Sequence, residues 1–419
     1  MRLNLKNIDD RNALFLVLEI FWAGIIAATA TFTGAYALRL GATNVQIGLL
    51  SSLPGLLAVF VSIPAGHFLE TRSNRKPWIV GALTLYRTGF ALIAVIPWLH
   101  FPDQWRGALV IAILILMNIP LHFFNIGWIP FIAEAVPETR RASVFSARNV
   151  IANITLSLSA ILYGLWLNQR TFPINYQLMF LSGYIAGLLS SYFVTWVRTS
   201  QVASIIPKEQ TGLPFQSEWR TLRQSFSNEP AFIRITINTI LHAIGLWTIT
   251  PIYILYFVRQ LNASDAWIGL QATFASVGTI LGYLFWRYVI TRRGEIWALK
   301  RTIICLGIYP VLIGLFPVLN IILFVVGMNG FMTGGVNLSH FTTLLKMMPE
   351  SQRPTYTALY IAIVNIGAFL CPLLGVWLAD IFGFRLLLIG CGVLSIIGST
   401  SFWIWPVSAR SGILTPRSP

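Results

Sequence analysis

The sequence predicts an all-α membrane protein: twelve transmembrane helices arranged as two pseudo-symmetric six-helix bundles. Hydrophobic residues make up 56% of the 419 and charged residues only 10%, with a mean hydropathy of +0.72. That is more apolar surface than one water-soluble core can hide. Apolar stretches of about 20 residues, long enough to cross a bilayer, occur twelve times. One stretch also occurs twice: Pro137, Glu138, Thr139, Arg141, Asn153, Gly164, Trp166 and Leu167 return as Pro349, Glu350, Ser351, Arg353, Asn365, Gly375, Trp377 and Leu378, 212 residues later apart from a one-residue slip at the end. A duplicated helical unit produces such a repeat.

The spans fall at about 13–37, 45–68, 78–99, 107–133, 143–167, 175–197, 232–258, 266–289, 297–317, 320–345, 355–379 and 384–406. The least distinct boundary separates spans 9 and 10, around Phe316 to Asn320. The first run is too long for a cleaved signal peptide and follows Asp9 and Asp10 as well as basic residues, so it is expected to stay as a helix. Of the 29 Lys and Arg residues, 21 lie at the two termini, in loops that follow even-numbered spans or within the first five residues of the spans those loops enter; the opposite side holds Arg39, Arg106, Arg170, Arg259 and Arg385. Basic loops mark the cytoplasmic side. The chain is therefore expected in the inner (cytoplasmic) cell membrane with both termini cytoplasmic.

The same scatter accounts for the net charge of +15 without a basic domain of the kind that binds nucleic acid. A polar segment after span 6 divides the chain into an N-terminal bundle (1–198), a cytoplasmic linker (199–230), a C-terminal bundle (231–406) and a cytoplasmic tail (407–419). A short amphipathic helix is expected in the linker, from Glu218 to Ser225. Cys305, Cys371 and Cys391 all sit in apolar runs without metal-ligand spacing, so no disulfide framework, metal or cofactor is expected.

Charged groups inside the bilayer cost about 2.5–3.5 kcal/mol each and mark function or an ion pair. Glu19 is the only carboxylate deep in a span; Arg87 and Arg148 share its half and its approximate depth. A buried salt bridge is one reading. One acid against two arginines leaves a net positive charge that would hold a carboxylate or phosphate, which is a second. A third makes Glu19 a proton-coupling group.

Polar residues form stripes at helical spacing: Asn118, His122 and Asn125; Asn149, Asn153 and Ser157; Asn238 and His242; Asn329, Thr333, Asn337 and His340. The 212-residue offset lays Asn125 over Asn337 and Trp128 over His340, and an offset of 223 lays Glu19 over His242. Such residues either glue helices together or line a binding site.

Two related halves of six helices, a central polar loop and one local motif resemble the major facilitator superfamily. Between spans 2 and 3 that family carries a Gly, an acid and a basic end, found here as Gly66, Glu70, Arg75 and Lys76; a second copy keeps Arg292 and Gly294. The segment Leu40, Ala42, Thr43, Ile47, Gly48 also returns as Leu261, Ala263, Ser264, Ile268, Gly269, offset by 221. The resemblance implies a secondary transporter working by alternating access, a small-molecule substrate and a monomer. Spans 1, 4, 7 and 10 would surround the cavity. The loop would act as a gating latch in which Glu70 meets Arg140 or Arg141, with Arg353 as the repeat counterpart.

No Walker-type phosphate loop is present, so gradients must drive the cycle. An organic anion is one expected cargo. A multidrug-type carrier is a weaker alternative, because span 5 lacks the Gly-Pro signature of drug antiporters. A membrane-embedded enzyme acting on an apolar or lipid-linked substrate is the alternative from another class; no His-Glu-x-x-His or nucleophile elbow supports it.

Overall fold

The computed structural model describes residues 7–72, 74–199, 229–348 and 353–406, and leaves out the side chains of Glu70 and Arg353 among others. The expected linker helix and the tail lie outside the described residues. The twelve spans are helices, and no strand occurs among the described residues. In the N-terminal half they are α1 (Ile8–Thr31 and Thr33–Arg39), α2 (Asn44–Glu70), α3 (Lys76–Val95), α4 (Asp103–Leu116 and Asn118–Ala135), α5 (Glu138–Gln169) and α6 (Ile174–Trp196). The C-terminal half has α7 (Pro230–Thr248 and Thr250–Leu255), α8 (Asp265–Arg293), α9 (Glu295–Leu315), α10 (Leu319–Lys346), α11 (Arg353–Phe382) and α12 (Phe384–Ile404).

Helical structure is what a bilayer demands, since hydrocarbon offers the backbone no hydrogen-bond partners. Several helices run beyond the apolar stretch that revealed them: α5 begins at Glu138 and α11 at Arg353, each carrying a basic, polar first turn. The interruptions in α4 and α7 have local causes. Proline has no N–H and its ring crowds the carbonyl four residues back, and Pro120 and Pro251 each follow a break, at Met117 and Ile249. At the first of these, Asn118 Nδ2 donates to the Leu114 carbonyl over 2.7 Å and satisfies an acceptor at the helix end.

The repeat seen in the sequence is a repeat of local geometry. The turn into α2 uses Gly41 at φ 89°, and the turn into α8 uses Asn262, 221 residues later, at φ 50°. These are the two residue types that most readily adopt a left-handed conformation. Thr43 then caps α2 by accepting from Gln46 N, and Ser264 caps α8 by accepting from Trp267 N.

Within the C-terminal half, α8 and α10 pack through small residues facing each other. Gly278 and Gly282 lie against the backbone of Gly327 and Phe331, while Gly330 and Gly334 lie against Ala275 and Thr279. Glycine pairs four residues apart let two membrane helices approach closely. In the N-terminal half α1 takes the central place, packing on both α5 and α6.

The halves meet through α2 on α11 and α5 on α8. Gly48 sits against Val376 and Gly269 against the Ala160 carbonyl. Among the described residues, every hydrogen bond between the halves lies in the part of the bundle away from the termini. The molecule is thus joined at the end opposite Ile8 and Ile404.

A side chain at Gly282 would collide with the Phe331 backbone. Overpacking of this kind costs about 1–3 kcal/mol, so Gly282→Leu is expected to lower the unfolding temperature of the detergent-purified protein. A wild-type temperature would argue against the tight α8–α10 contact.

Candidate functional site

The N-terminal half buries one carboxylate and surrounds it with cations. Glu19 is brought in by α1, Arg87 by α3, Arg148 by α5, and Ser190 and Ser191 by α6; all are buried. Arg148 Nη1 donates to Glu19 Oε2 over 2.6 Å and to the Leu16 carbonyl over 2.5 Å. Arg87 Nη2 lies 3.7 Å from Glu19 Oε1, and Ser190 Oγ donates to the same oxygen at 3.0 Å. Arg87 also donates to the Gly187 carbonyl, to Ser191 Oγ and to Ser190 Oγ, at 2.6, 2.6 and 2.7 Å. The glycine at 187 makes room for this, because a Cβ there would sit 3.0 Å from Arg87 Cδ.

Both oxygens of Glu19 are occupied, but the two arginines are not equivalent. Arg87 is enclosed by α6. The Arg148 guanidinium rests over the Trp128 ring, 5.1 Å from its centroid. Its other nitrogens make no hydrogen bond among the described residues, and its side chain keeps 7% of its surface exposed. The cluster carries one negative and two positive charges, an excess of one cation in a low-dielectric interior.

The C-terminal half builds the counterpart without charge. His242, in the repeat position of Glu19, places Nδ1 2.8 Å from Ser399 Oγ and 2.9 Å from Ser395 Oγ, both on α12. This mirrors Glu19 meeting Ser190 of α6. His340, in the repeat position of Trp128, has Nε2 2.9 Å from Thr239 Oγ1 and 3.4 Å from the Tyr360 hydroxyl. Tyr360 stands 212 residues after Arg148. The pair Arg148 on Trp128 is thus repeated as Tyr360 beside His340.

The remaining candidates separate by their contacts. Asn238 Nδ2 donates to the Trp405 carbonyl at 3.1 Å and ties α7 to the end of α12. Asn12, which the sequence did not single out, does the same for α6: it donates to the Ala135 and Arg198 carbonyls and accepts from Arg198 N. His122 Nε2 lies 3.0 Å from the Pro54 carbonyl and links α4 to α2. Asn153 bonds the Asn149 carbonyl of its own helix. Asn125 and Asn337 are both exposed, and Asn337 donates to the Tyr283 hydroxyl at 3.2 Å.

At the end that bears the termini, the expected meeting of Glu70 with Arg140 or Arg141 lies outside the described residues, and the basic residues there have other partners. Arg140 pairs with the buried Asp10 of α1, and Arg141 Nε donates to the Val136 carbonyl. Arg75 donates to the Leu69 carbonyl and lies 3.7 Å from Glu134. Gly66 stands in open space. Contacts of the Glu70 and Arg353 side chains lie outside the described residues.

The far end holds a closure that the sequence did not reveal. Asp265, at the start of α8 and buried, accepts from Arg39 Nη2 at 2.8 Å and from the Tyr176 hydroxyl at 2.6 Å, both in the other half. In the repeat position of Asp265, Asn44 accepts from Arg259 Nη1 at 2.7 Å and donates to Asp380 at 3.2 Å. The only sequence signal was the single acid or amide that opens α8 and α2.

The two charge removals at the cluster should differ. Glu19→Gln leaves two buried cations with no counter-charge, and breaking a buried pair costs about 3–5 kcal/mol. Arg148→Gln leaves Glu19 still facing Arg87. Glu19→Gln is therefore expected to lower the unfolding temperature far more than Arg148→Gln; equal losses would remove Glu19 as the organising charge.

The sequence profile of the Major Facilitator Superfamily matches residues 14–234 and again 235–418, close to the whole chain. The protein svop-1 of Caenorhabditis elegans, whose name calls it a transporter, is 32% identical over 142 residues, 34% of this chain; the match spans only 27% of that protein's length. Among solved structures the fold is similar to a bacterial homologue of the iron transporter ferroportin in its inward-facing state (TM-score 0.70, 13% identity, 96% of this chain and 99% of that one). It is likewise similar to a D-xylose-proton symporter (TM-score 0.69, 14% identity, 96% and 98%) and to the nucleoside transporter NupG (TM-score 0.62, 14% identity, 95% and 98%). At such identities these structures show the fold alone. The family match sets the membrane-enzyme alternative aside. Its twelve helices, its two related halves and its sequence profile agree: the chain belongs to the Major Facilitator Superfamily.

Proposed function

We propose that this secondary transporter carries a small molecule bearing an anionic group, held by Arg148 against Trp128. One observation carries the reading: Arg148 keeps guanidinium nitrogens without a protein partner, in a cluster with one more cation than anion. A planar guanidinium with free donors binds carboxylate or phosphate through two parallel hydrogen bonds. Across the pseudo-symmetry axis His340, Tyr360 and Thr239 offer uncharged donors and acceptors, suited to a polar or aromatic remainder of the substrate.

The membrane orientation is part of the proposal. With the basic termini on the cytoplasmic side, the junction at Asp265 and Asn44 faces outward and the state is open toward the cytoplasm. In alternating access the two halves would rock about the site, breaking the outer junction while the termini end closes.

A thermal-shift series on the purified protein tests the substrate class. Small organic anions are expected to raise the unfolding temperature of the wild type, and neutral sugars and lipophilic cations to leave it unchanged; in Arg148→Gln the anion effect should vanish. Stabilisation by neutral or cationic compounds that survives in the variant would overturn the reading.

The outer junction has its own test. Asp265→Asn removes the charge partner of Arg39, which should shift the population toward the outward-open state. A cysteine placed at the buried Ala42, with the three native cysteines replaced, should then react several-fold faster with an impermeant maleimide applied from the far side. An unchanged rate would count against Asp265 as a latch.

A further inference from the structure

The flank of the N-terminal half carries a cavity of about 570 Å³ between α2, α3 and α4, lined by none of the residues of the Glu19 cluster. We propose that it is a binding groove for one anionic glycerophospholipid, an acyl chain lying in the groove and the headgroup phosphate on Arg72. The walls are apolar, formed by Val61 of α2, Trp78 and Leu85 of α3, and Ile119 and Phe123 of α4. The groove opens sideways, since Trp78, Leu85 and Ile119 are 48%, 63% and 40% exposed.

Its length fits one leaflet. From Pro77 to Leu85 is eight residues, about 12 Å along α3 at roughly 1.5 Å per residue, and half of a hydrocarbon core about 30 Å thick is about 15 Å. Its mouth carries the charge. The Arg72 guanidinium lies 4.6 Å from the Phe68 ring centroid and 5.5 Å from that of Trp78. Those two rings meet edge-on at 4.8 Å, and Phe68 continues to Phe123 at 5.7 Å. The cation is therefore seated on the same aromatic wall that lines the groove.

Arg72 is also uncommitted. Arg75 is held by Leu69 and Glu134, and Lys76 donates to the Thr195 and Val197 carbonyls. The Arg72 side chain makes no hydrogen bond or ion pair among the described residues. A cation over an aromatic face at the headgroup level, above a leaflet-long apolar slot, matches an anionic lipid in both of its parts. Gly81 lies on the groove wall, and a Cβ there would meet no protein atom within 4 Å.

Native mass spectrometry of the full-length protein in detergent, with dioleoyl phosphatidylglycerol or phosphatidylcholine added, tests this. The anionic lipid is expected to be retained about fivefold more than the zwitterionic one, as a single interfacial cation would give. Arg72→Gln should bring the two to the same level. Gly81→Trp should remove both, and Gly81→Leu, a smaller filling, should weaken both while keeping the wild-type unfolding temperature. Equal retention of the two lipids by the wild type would overturn the proposal. So would phosphatidylglycerol binding unaffected by filling the groove, displacement of the lipid by inorganic phosphate alone, or a dimer that Gly81→Trp dissociates.

Discussion

A carboxylate cannot stay ionised in the interior of a membrane bundle unless cations meet it there, and the N-terminal half is built around meeting that requirement for Glu19. Its two oxygens draw Arg148 from α5, Arg87 from α3 and Ser190 from α6 onto α1. Four of six helices are thereby fixed at one depth. Gly187 keeps α6 close enough for Arg87 to reach its partners, and Trp128 of α4 covers the guanidinium of Arg148. The excess cation that such an arrangement leaves is the feature on which the proposed preference for an anionic group rests.

The C-terminal half solves the same geometric problem with neutral groups. His242 stands where Glu19 does, bonded to serines of α12 as Glu19 is to Ser190 of α6, and no arginine is needed. Helix contacts there rely on close backbone approach instead, with Gly278, Gly282, Gly330 and Gly334 bringing α8 and α10 together. A duplicated scaffold has kept its positions while the charge went to one half only. In the proposed function that asymmetry would let one half bind charge and the other read the rest of a substrate.

The junction away from the termini shows the same division. Each half extends an arginine onto the first residue or turn of a helix in the other, Arg39 to Asp265 and Arg259 to Asn44. One is an ion pair of the exposed Arg39 with the buried Asp265, reinforced by the Tyr176 hydroxyl; the other joins an arginine to an amide. Asp265 supplies a full counter-charge to Arg39, whereas Arg259 is held by neutral acceptors, Asn44 and the Ala42 carbonyl. Gly48 and Gly269 let the helices beneath them touch.

Hydropathy, the spacing of apolar runs and the 212-residue and 221-residue repeats determined by themselves the number of helices, the two related halves and the family resemblance. Each is a local property: a bilayer forces helices on any apolar run of about 20 residues, and residues such as Gly41, Asn262, Thr43 and Ser264 fix their turns and caps without distant partners. Glu19, Arg87 and Arg148 were legible as a group because intramembrane charge is costly wherever it falls. Which arginine would have both terminal nitrogens engaged was not, because that depends on Gly187 and the serines of α6 enclosing Arg87, whose buried Nε alone lacks a partner, and on Trp128 covering one face of Arg148. Only the tertiary structure separated Asn238 and His122, which tie helices together, from Asn125, which is exposed, since a stripe of amides reads the same in either role. It alone brought Asp265 to Arg39 across 226 residues, and laid Arg72 over the aromatic wall of a lateral groove. Contacts between halves follow from how two bundles are set against each other, and no run of consecutive residues encodes that.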